Sequence, residues 1–154
     1  MIEIQTQYGT VRLDDDLGPF VSAVGISVCG NPEYPRVLFR MRQVSTALFK
    51  PGKGFVVDHI NGDPLDNRRE NLQVLSIRAN TMKARTTPHP GVTAVASKGR
   101  WRATVGKRRH RDFRTIEEAQ LAADAYRRSL GIKGMPLNFP DIGEHYWDGR
   151  RRDA

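Results

Sequence analysis

The sequence predicts an α+β chain in two parts. A β-rich N-terminal segment runs into a strand–loop–strand–helix unit, and a three-stranded antiparallel sheet packed on one helix follows. Three observations predict this. Short alternations of apolar and polar residues, separated by turn residues, recur through residues 1–50 and again through 91–113. Two helix starts are marked by capping residues, Ser76 and Thr115. Between them Pro88 and Pro90 stop one pattern and stiffen the connection before the next. The expected division is residues 1–85, a linker at 86–90, a second domain at 91–140 and a tail at 141–154.

In order, Ile2 and Ile4 and then Val11 and Leu13 alternate with polar residues around the turn signal Tyr8-Gly9-Thr10. Val21–Val28 reads as a buried strand, Gly30–Pro35 as a loop, and Val37–Leu48 as strand, helix or both. Asp63-Pro64-Leu65-Asp66-Asn67 is a turn, because proline presets its dihedral and Asp and Asn side chains bond locally to backbone. Ser76 caps a helix from Ile77 to about Arg85. Beyond Gly91, strands are expected at Val92–Ala96, Trp101–Val105 and Arg109–Phe113. Thr115 and Glu118 then form a capping box for a helix with Ala119, Ala122, Ala123 and Tyr126 on its inner face, and Gly131 ends it.

Charge is distributed unevenly. Residues 1–50 carry five Lys/Arg and five Asp/Glu, whereas residues 91–137 carry eleven against four, so nearly all of the net +8 lies in that block. Basic residues interleaved with Trp101, Phe113 and Tyr126 suit a polyanion such as nucleic acid; the bland alternative is a solvated charged face. The single cysteine, Cys29, excludes an internal disulfide and a cysteine-rich zinc site, and reads as a small buried residue. The start lacks the pattern of a signal peptide, and no run approaches the roughly 18 apolar residues of a membrane span. A soluble, cytoplasmic protein is expected, with no membrane contact and no evident protein partner.

The chemistry concentrates in Val57-Asp58-His59-Ile60-Asn61-Gly62-Asp63-Pro64-Leu65-Asp66-Asn67-Arg68-Arg69-Glu70-Asn71-Leu72, with Asn80 beyond it. Cutting a phosphodiester needs a base with a pKa near neutrality, for which histidine is suited, and a cation on the phosphoryl oxygens. The bland readings are a core histidine for His59, a strand-end cap for Asp58, a turn cap for Asn71 and a solvent-facing helical residue for Asn80. His89, His110 and His145 lack a partner pattern and read as exposed.

This segment resembles the HNH (ββα-metal) nucleases, especially the phage and intron-encoded homing endonucleases. His59 and Asn71 have eleven residues between them, and Asn71 and Asn80 have eight, as that pattern requires. The resemblance implies that His59 is the general base and that Asn71 bonds and orients its imidazole. It makes Asp58 and Asn80 ligands of one divalent cation, Mg²⁺ or Mn²⁺, and places Arg68 or Arg69 near phosphate; Arg68, Arg69, Lys83 and Arg85 are the candidate DNA contacts of this part of the chain. Two departures stand: Leu38-Phe39-Arg40 lacks the histidine that relatives carry before the signature, and Lys83 replaces a further Asn.

Residues 91–140 resemble the Apetala/ethylene-response-factor DNA-binding domain, through Gly91-Val92, Gly99-Arg100-Trp101, Phe113-Arg114-Thr115 and Leu137-Asn138-Phe139-Pro140. The resemblance implies that the sheet meets double-stranded DNA through Arg100, Arg102, Thr104, Lys107, Arg109 and Arg111, with Trp101, Ala103 and Val105 facing the helix. Arg109 and Pro90 replace a family tryptophan and arginine, so no base-reading code carries over. The resulting expectation is a homing-type, site-specific DNA endonuclease, monomer or homodimer, nicking once per active site, in a bacterial host if phage-encoded. The alternatives are a non-cleaving DNA-binding protein or decayed nuclease, and a phage protein that uses the fold on RNA. Asp14-Asp15-Asp16 reads as a solvated turn or a second metal site, and Arg150-Arg151-Arg152 as a tail that is disordered or touches phosphate.

Overall fold

A computed structural model describes residues 1–84 and 87–141. Arg85, His145 and the arginines at 150–152, singled out above, lie outside the described residues. The chain divides into two compact units, Met1–Asn80 and Thr81–Ala154. Among the described residues it is α+β, with small antiparallel sheets and four α-helices. No helix there is long and apolar enough to cross a membrane.

In the first unit, β1 (Ile2–Thr6) and β2 (Gly9–Leu13) form a hairpin that sets Ile2 against Leu13 and Ile4 against Val11. Gly9 turns the chain at φ 122°, a conformation that favours glycine, and a Cβ there would press on Leu65 Cδ1 at 3.0 Å. The strand expected at Val21–Val28 is instead helix and then strand. Pro19 presets the first turn of α1 (Gly18–Val24), and Gly25 at φ 72° ends it by donating its N–H to Val21 O. A short, mostly apolar run broken only by Ser22, Gly25 and Ser27 carries no clear period to separate the two readings.

β3 (Ser27–Asn31) then pairs antiparallel with β4 (Tyr34–Phe39). The expected loop therefore shrinks to a turn at Pro32-Glu33. β5 (Arg42–Gln43) extends this sheet and α2 (Val44–Phe49) follows, so Val37–Leu48 is both strand and helix. Cys29 is exposed, contrary to expectation: it pairs with Arg36 on the face opposite buried Val37 and Phe39. The core joins Val11, Leu13, Val37, Phe39 and Val44 to Leu65. β6 (Phe55–His59) and β7 (Leu72–Ser76) form a third, two-stranded antiparallel sheet of this unit, and α3 (Ile77–Ala84) starts with Ser76 Oγ accepting from Ala79 N at 3.2 Å.

In the second unit, β8 (Val92–Val95), β9 (Arg100–Gly106) and β10 (Arg109–Phe113) form an antiparallel sheet with β9 central. α4 (Ile116–Ser129) begins with the Thr115–Glu118 capping box, and Gly131 at φ 62° follows its end. Ala119, Ala122 and Ala123 are small enough to bring α4 close to Ala103 and Phe113, with Val92, Trp101 and Val105 packed around them. Tyr126 is only half-buried, whereas Asp124 and Arg127 are buried. Asp124 accepts from Asn138 N at 3.0 Å, Asn138 Nδ2 at 2.8 Å and Phe139 N at 2.8 Å. The polar interior thus pins Leu137–Pro140 against α4. His89 is half-buried rather than exposed, with Nδ1 2.9 Å from Gln120 Nε2 and its ring edge-on to Trp101.

Candidate active site

Asp58 and His59 close β6, where the ladder sets Asp58 opposite Gln73 and His59 opposite Leu72. Successive strand residues point to opposite faces. Gln73 Nε2 donates to Asp58 Oδ2 at 2.8 Å and so fixes the carboxylate plane. Gln73 had no sequence signal, because its role depends on a register that the sequence does not display.

The loop 60–71 is fastened at nearly every polar group. Leu65 plugs into the core, and Asp66 makes a parallel bridge to Arg12 of β2. Arg12 N donates to Leu65 O and Asn67 N donates to Arg12 O, each at 2.9 Å. Asp63 Oδ1 accepts from Leu65 N at 2.9 Å, and Asn61 Oδ1 accepts from Asp63 N at 2.8 Å. These are the local side-chain turns expected of Asp and Asn.

Asn71 fastens this loop rather than the imidazole it was expected to bond. Its Oδ1 accepts from Asn61 N at 3.1 Å, and its Nδ2 donates to Asn61 Oδ1 at 3.0 Å and to Asp66 O at 2.8 Å. Asn67 lies beside the imidazole, its Oδ1 3.4 Å from His59 Nε2. Asn67 Nδ2 donates to Pro64 O at 3.0 Å, which fixes the amide orientation and turns a pure acceptor toward the ring. The compatible tautomer carries its proton on Nε2 and its lone pair on Nδ1. Burial holds the His59 pKa below its ordinary value near 6.5, against the opposing pull of Asn67 and the carboxylates of Asp58, Asp63 and Asp66. The neutral imidazole is therefore the favoured form at neutral pH.

Arg68 and Arg69, expected at phosphate, are both engaged by carboxylates. Arg68 donates from Nε and Nη2 to Asp66 at 2.8 and 2.7 Å and also pairs with Glu70. Asp66 is buried, and its carboxyl is held below the usual carboxylate range chiefly by Arg68. Arg69 Nη1 bonds Asp14 Oδ2 and Asp16 Oδ1, each at 2.8 Å, so these two aspartates anchor the loop end, while Asp15 pairs with the N-terminal ammonium. Asn80 is half-buried on α3, and Lys83 lies on the last turn of the same helix. Among the described residues no group of three or more His, Cys, Asp or Glu gathers as a metal cluster. The oxygens of Asp58 and Asn80 are hard donors of the kind that oxygen-preferring divalent cations take.

On the second unit, Arg100, Arg102 and Thr104 lie on the face of β9 opposite Trp101, Ala103 and Val105, in the alternation expected. β10 departs from it. A bulge between Arg109 and His110 shifts the register, so that Arg109 pairs with Gly106 and His110 with Thr104. Arg111 consequently pairs with Ala103 in the helix-side register, its guanidinium 5.9 Å from the Phe113 ring centroid, although its long side chain still borders the cleft shared with Arg100, Arg102 and His110. Asp112 takes the register position opposite Arg102. It binds Arg102 bidentately, at 2.7 Å from Nε and 3.1 Å from Nη2, and that pairing holds its carboxyl below the usual range. A cleft of ≈ 470 Å³ on this unit is lined by Lys98, Arg100, Arg102, His110, Arg111 and Asp112. Lys107 sits in the turn between β9 and β10.

Residues 50–82 match the HNH endonuclease family. That stretch runs from the end of α2 through β6, the fastened loop and β7 into α3. The chain is also similar to Protein 3.8 of Escherichia phage T7, with 28% identity over 93 residues, covering 56% of this chain and 77% of that protein. No solved structure matches.

Proposed function

We propose that this chain is a homing-type, site-specific DNA endonuclease of the HNH kind, hydrolysing a phosphodiester with His59 as general base and one divalent cation. The observation that carries the reading is that the HNH endonuclease match at residues 50–82 takes in the ladder, the loop and the start of α3, and with them Asp58, His59, Asn71 and Asn80. His59, neutral and with its lone pair on Nδ1, takes the proton of the attacking water. Asn67 sets the tautomer and Asn71 holds the loop that carries Asn67. Asp58, its plane fixed by Gln73, and Asn80 would hold Mg²⁺ or Mn²⁺. Bound there, the cation supplies charge stabilisation for the phosphoryl and leaving oxygens.

Double-stranded DNA is the substrate in this reading, and the cationic sheet face of Arg100, Arg102, Thr104 and Arg109 anchors it. One active site per chain favours nicking; double-strand cleavage requires a dimer or a second binding event. The test is incubation of supercoiled plasmid with the parent chain, His59→Ala and Asp58→Asn, in Mg²⁺, in Mn²⁺ and in EDTA. Metal-dependent open-circular product, lost in both variants, is expected. Tight, salt-sensitive binding without cutting in any metal would move the assignment to a non-cleaving DNA-binding protein.

A further inference from the structure

The N-terminal residues are electrically neutral as a block, yet their charges segregate. Between Glu33 and Asp58 the chain has no acidic residue, while Arg36, Arg40, Arg42, Lys50 and Lys53 fall in that interval. Elsewhere in the same unit Arg12, Arg68 and Arg69 are all ion-paired. Among the described residues Arg36, Arg40 and Arg42 have no carboxylate partner, and all three are exposed on β4, β5 and the turn between them.

That turn has an unusual tip. Phe39 pairs with Arg42, which leaves Arg40 and Met41 as a two-residue connection, with Arg40 in the left-handed region at φ 45°. Such positions favour Gly, Asn or Asp; here an arginine occupies one. Met41 beside it is 91% exposed, the most exposed of the large apolar side chains described. The tip therefore presents an unbranched, polarisable apolar side chain between two unpaired guanidinium groups, on a ribbon anchored through Val37 and Phe39 in the core.

We propose that the β4–β5 hairpin is a DNA-contacting wedge. Arg40 and Arg42 hold phosphates on either side of the minor groove, and Met41 enters a base step and kinks the duplex. Apolar wedges flanked by cations are the side-chain chemistry that unstacks a step from the minor-groove side. Deformation is easiest at TA and CA/TG steps, so this element would favour duplexes carrying one near the cut. The inference rests on the endonuclease reading, because the hairpin belongs to the unit that carries His59.

The test uses full-length His59→Ala protein in EDTA, bound to relaxed plasmid beside a topoisomerase that needs no metal; after deproteinisation the linking number is read on a gel. Partial unstacking by the wedge is expected to lower the linking number as protein is added. Met41→Ala should abolish the change with affinity nearly unaltered, and Met41→Leu should preserve it. Arg40→Ala and Arg42→Ala should each reduce the salt slope of binding by about 1. A Met41→Ala chain that shifts the linking number as its parent does overturns the wedge, and so does an Arg40→Ala,Arg42→Ala pair with an unchanged slope. Nicking of the same plasmid in Mg²⁺ by the chain with His59 intact is run in parallel. Nicking without a linking change overturns the wedge alone; neither nicking nor binding overturns the wedge and the endonuclease reading together.

Discussion

The loop 60–71 and the open face of the β8–β10 sheet are both rich in polar groups, and they treat those groups in opposite ways. In the loop Asn61, Asp63, Asp66, Asn67, Arg68 and Asn71 all bond within the unit, several of them twice. On the sheet Arg100 and Arg109 carry no carboxylate partner among the described residues, while Arg102 is clamped by Asp112, which Lys98 also approaches. Reaction chemistry needs atoms held within fractions of an ångström, so its supporting shell is bonded in advance. Grip on a polyanion needs charge that can adapt to a phosphate track. The difference separates variants that change rate from variants that change affinity.

The largest expected effect is on rate. His59→Ala should lower metal-dependent nicking by roughly 10²- to 10⁴-fold, the usual yield of a positioned base, with DNA affinity unchanged by gel shift. Next, Leu65→Ala removes the core plug that seats the loop and should destabilise the fold by about 2–4 kcal/mol. Asn71→Ala, which orphans Asn61 and Asp66 O, should lose about 1–3 kcal/mol and reduce nicking while leaving Kd unchanged. Thermal unfolding and single-turnover kinetics on the two variants check both.

The pH dependence follows from His59. Its folded pKa is lowered by burial, and only the neutral ring accepts a proton. Nicking should therefore rise with pH through a value below 6.5 and level off by neutrality. The same shift means that the unfolded chain binds more protons below pH 6.5, so stability falls as pH drops through that region. A rate limb centred above 6.5 would contradict the burial argument.

On the sheet, Arg100→Ala should flatten the log Kd against log salt slope by about 1, with no change in the rate at saturating DNA. Asp112→Asn releases Arg102 and should tighten non-specific binding, because it removes a negative charge from a cationic face. The smallest effect is expected at Lys50, the C-cap of α2 at φ 44°; Lys50→Gly should raise stability by about 1 kcal/mol in chemical denaturation.

Local signals made much of this legible. The capping residues Ser76 and Thr115 mark α3 and α4, and the spacing of Asp58, His59, Asn71 and Asn80 led to the stretch that the HNH family matches. What escaped depended on register or on packing across the chain. An apolar run from Phe20 to Cys29 shows no period, so α1 was invisible until Pro19 and Gly25 were seen to bound it. The bulge at Arg109 inverts the face of Arg111, and nothing in a string of arginines announces a bulge. Asn67 lies beside the imidazole while Asn71 fastens the loop, and the loop itself is bridged to β2 through Asp66 and Arg12, residues far apart in sequence. The carboxylates that engage Arg69 lie in the N-terminal acidic turn, equally distant along the chain.

The most direct test of the central claim, that His59 is the base in a site whose other parts are held without it, is chemical rescue. His59→Ala protein is incubated with supercoiled plasmid and Mg²⁺ over a range of imidazole concentrations, and the rate of nicking is measured. Negligible nicking without imidazole and a rate that climbs with its concentration are expected. Nicking by His59→Ala at the parental rate without imidazole would contradict the account.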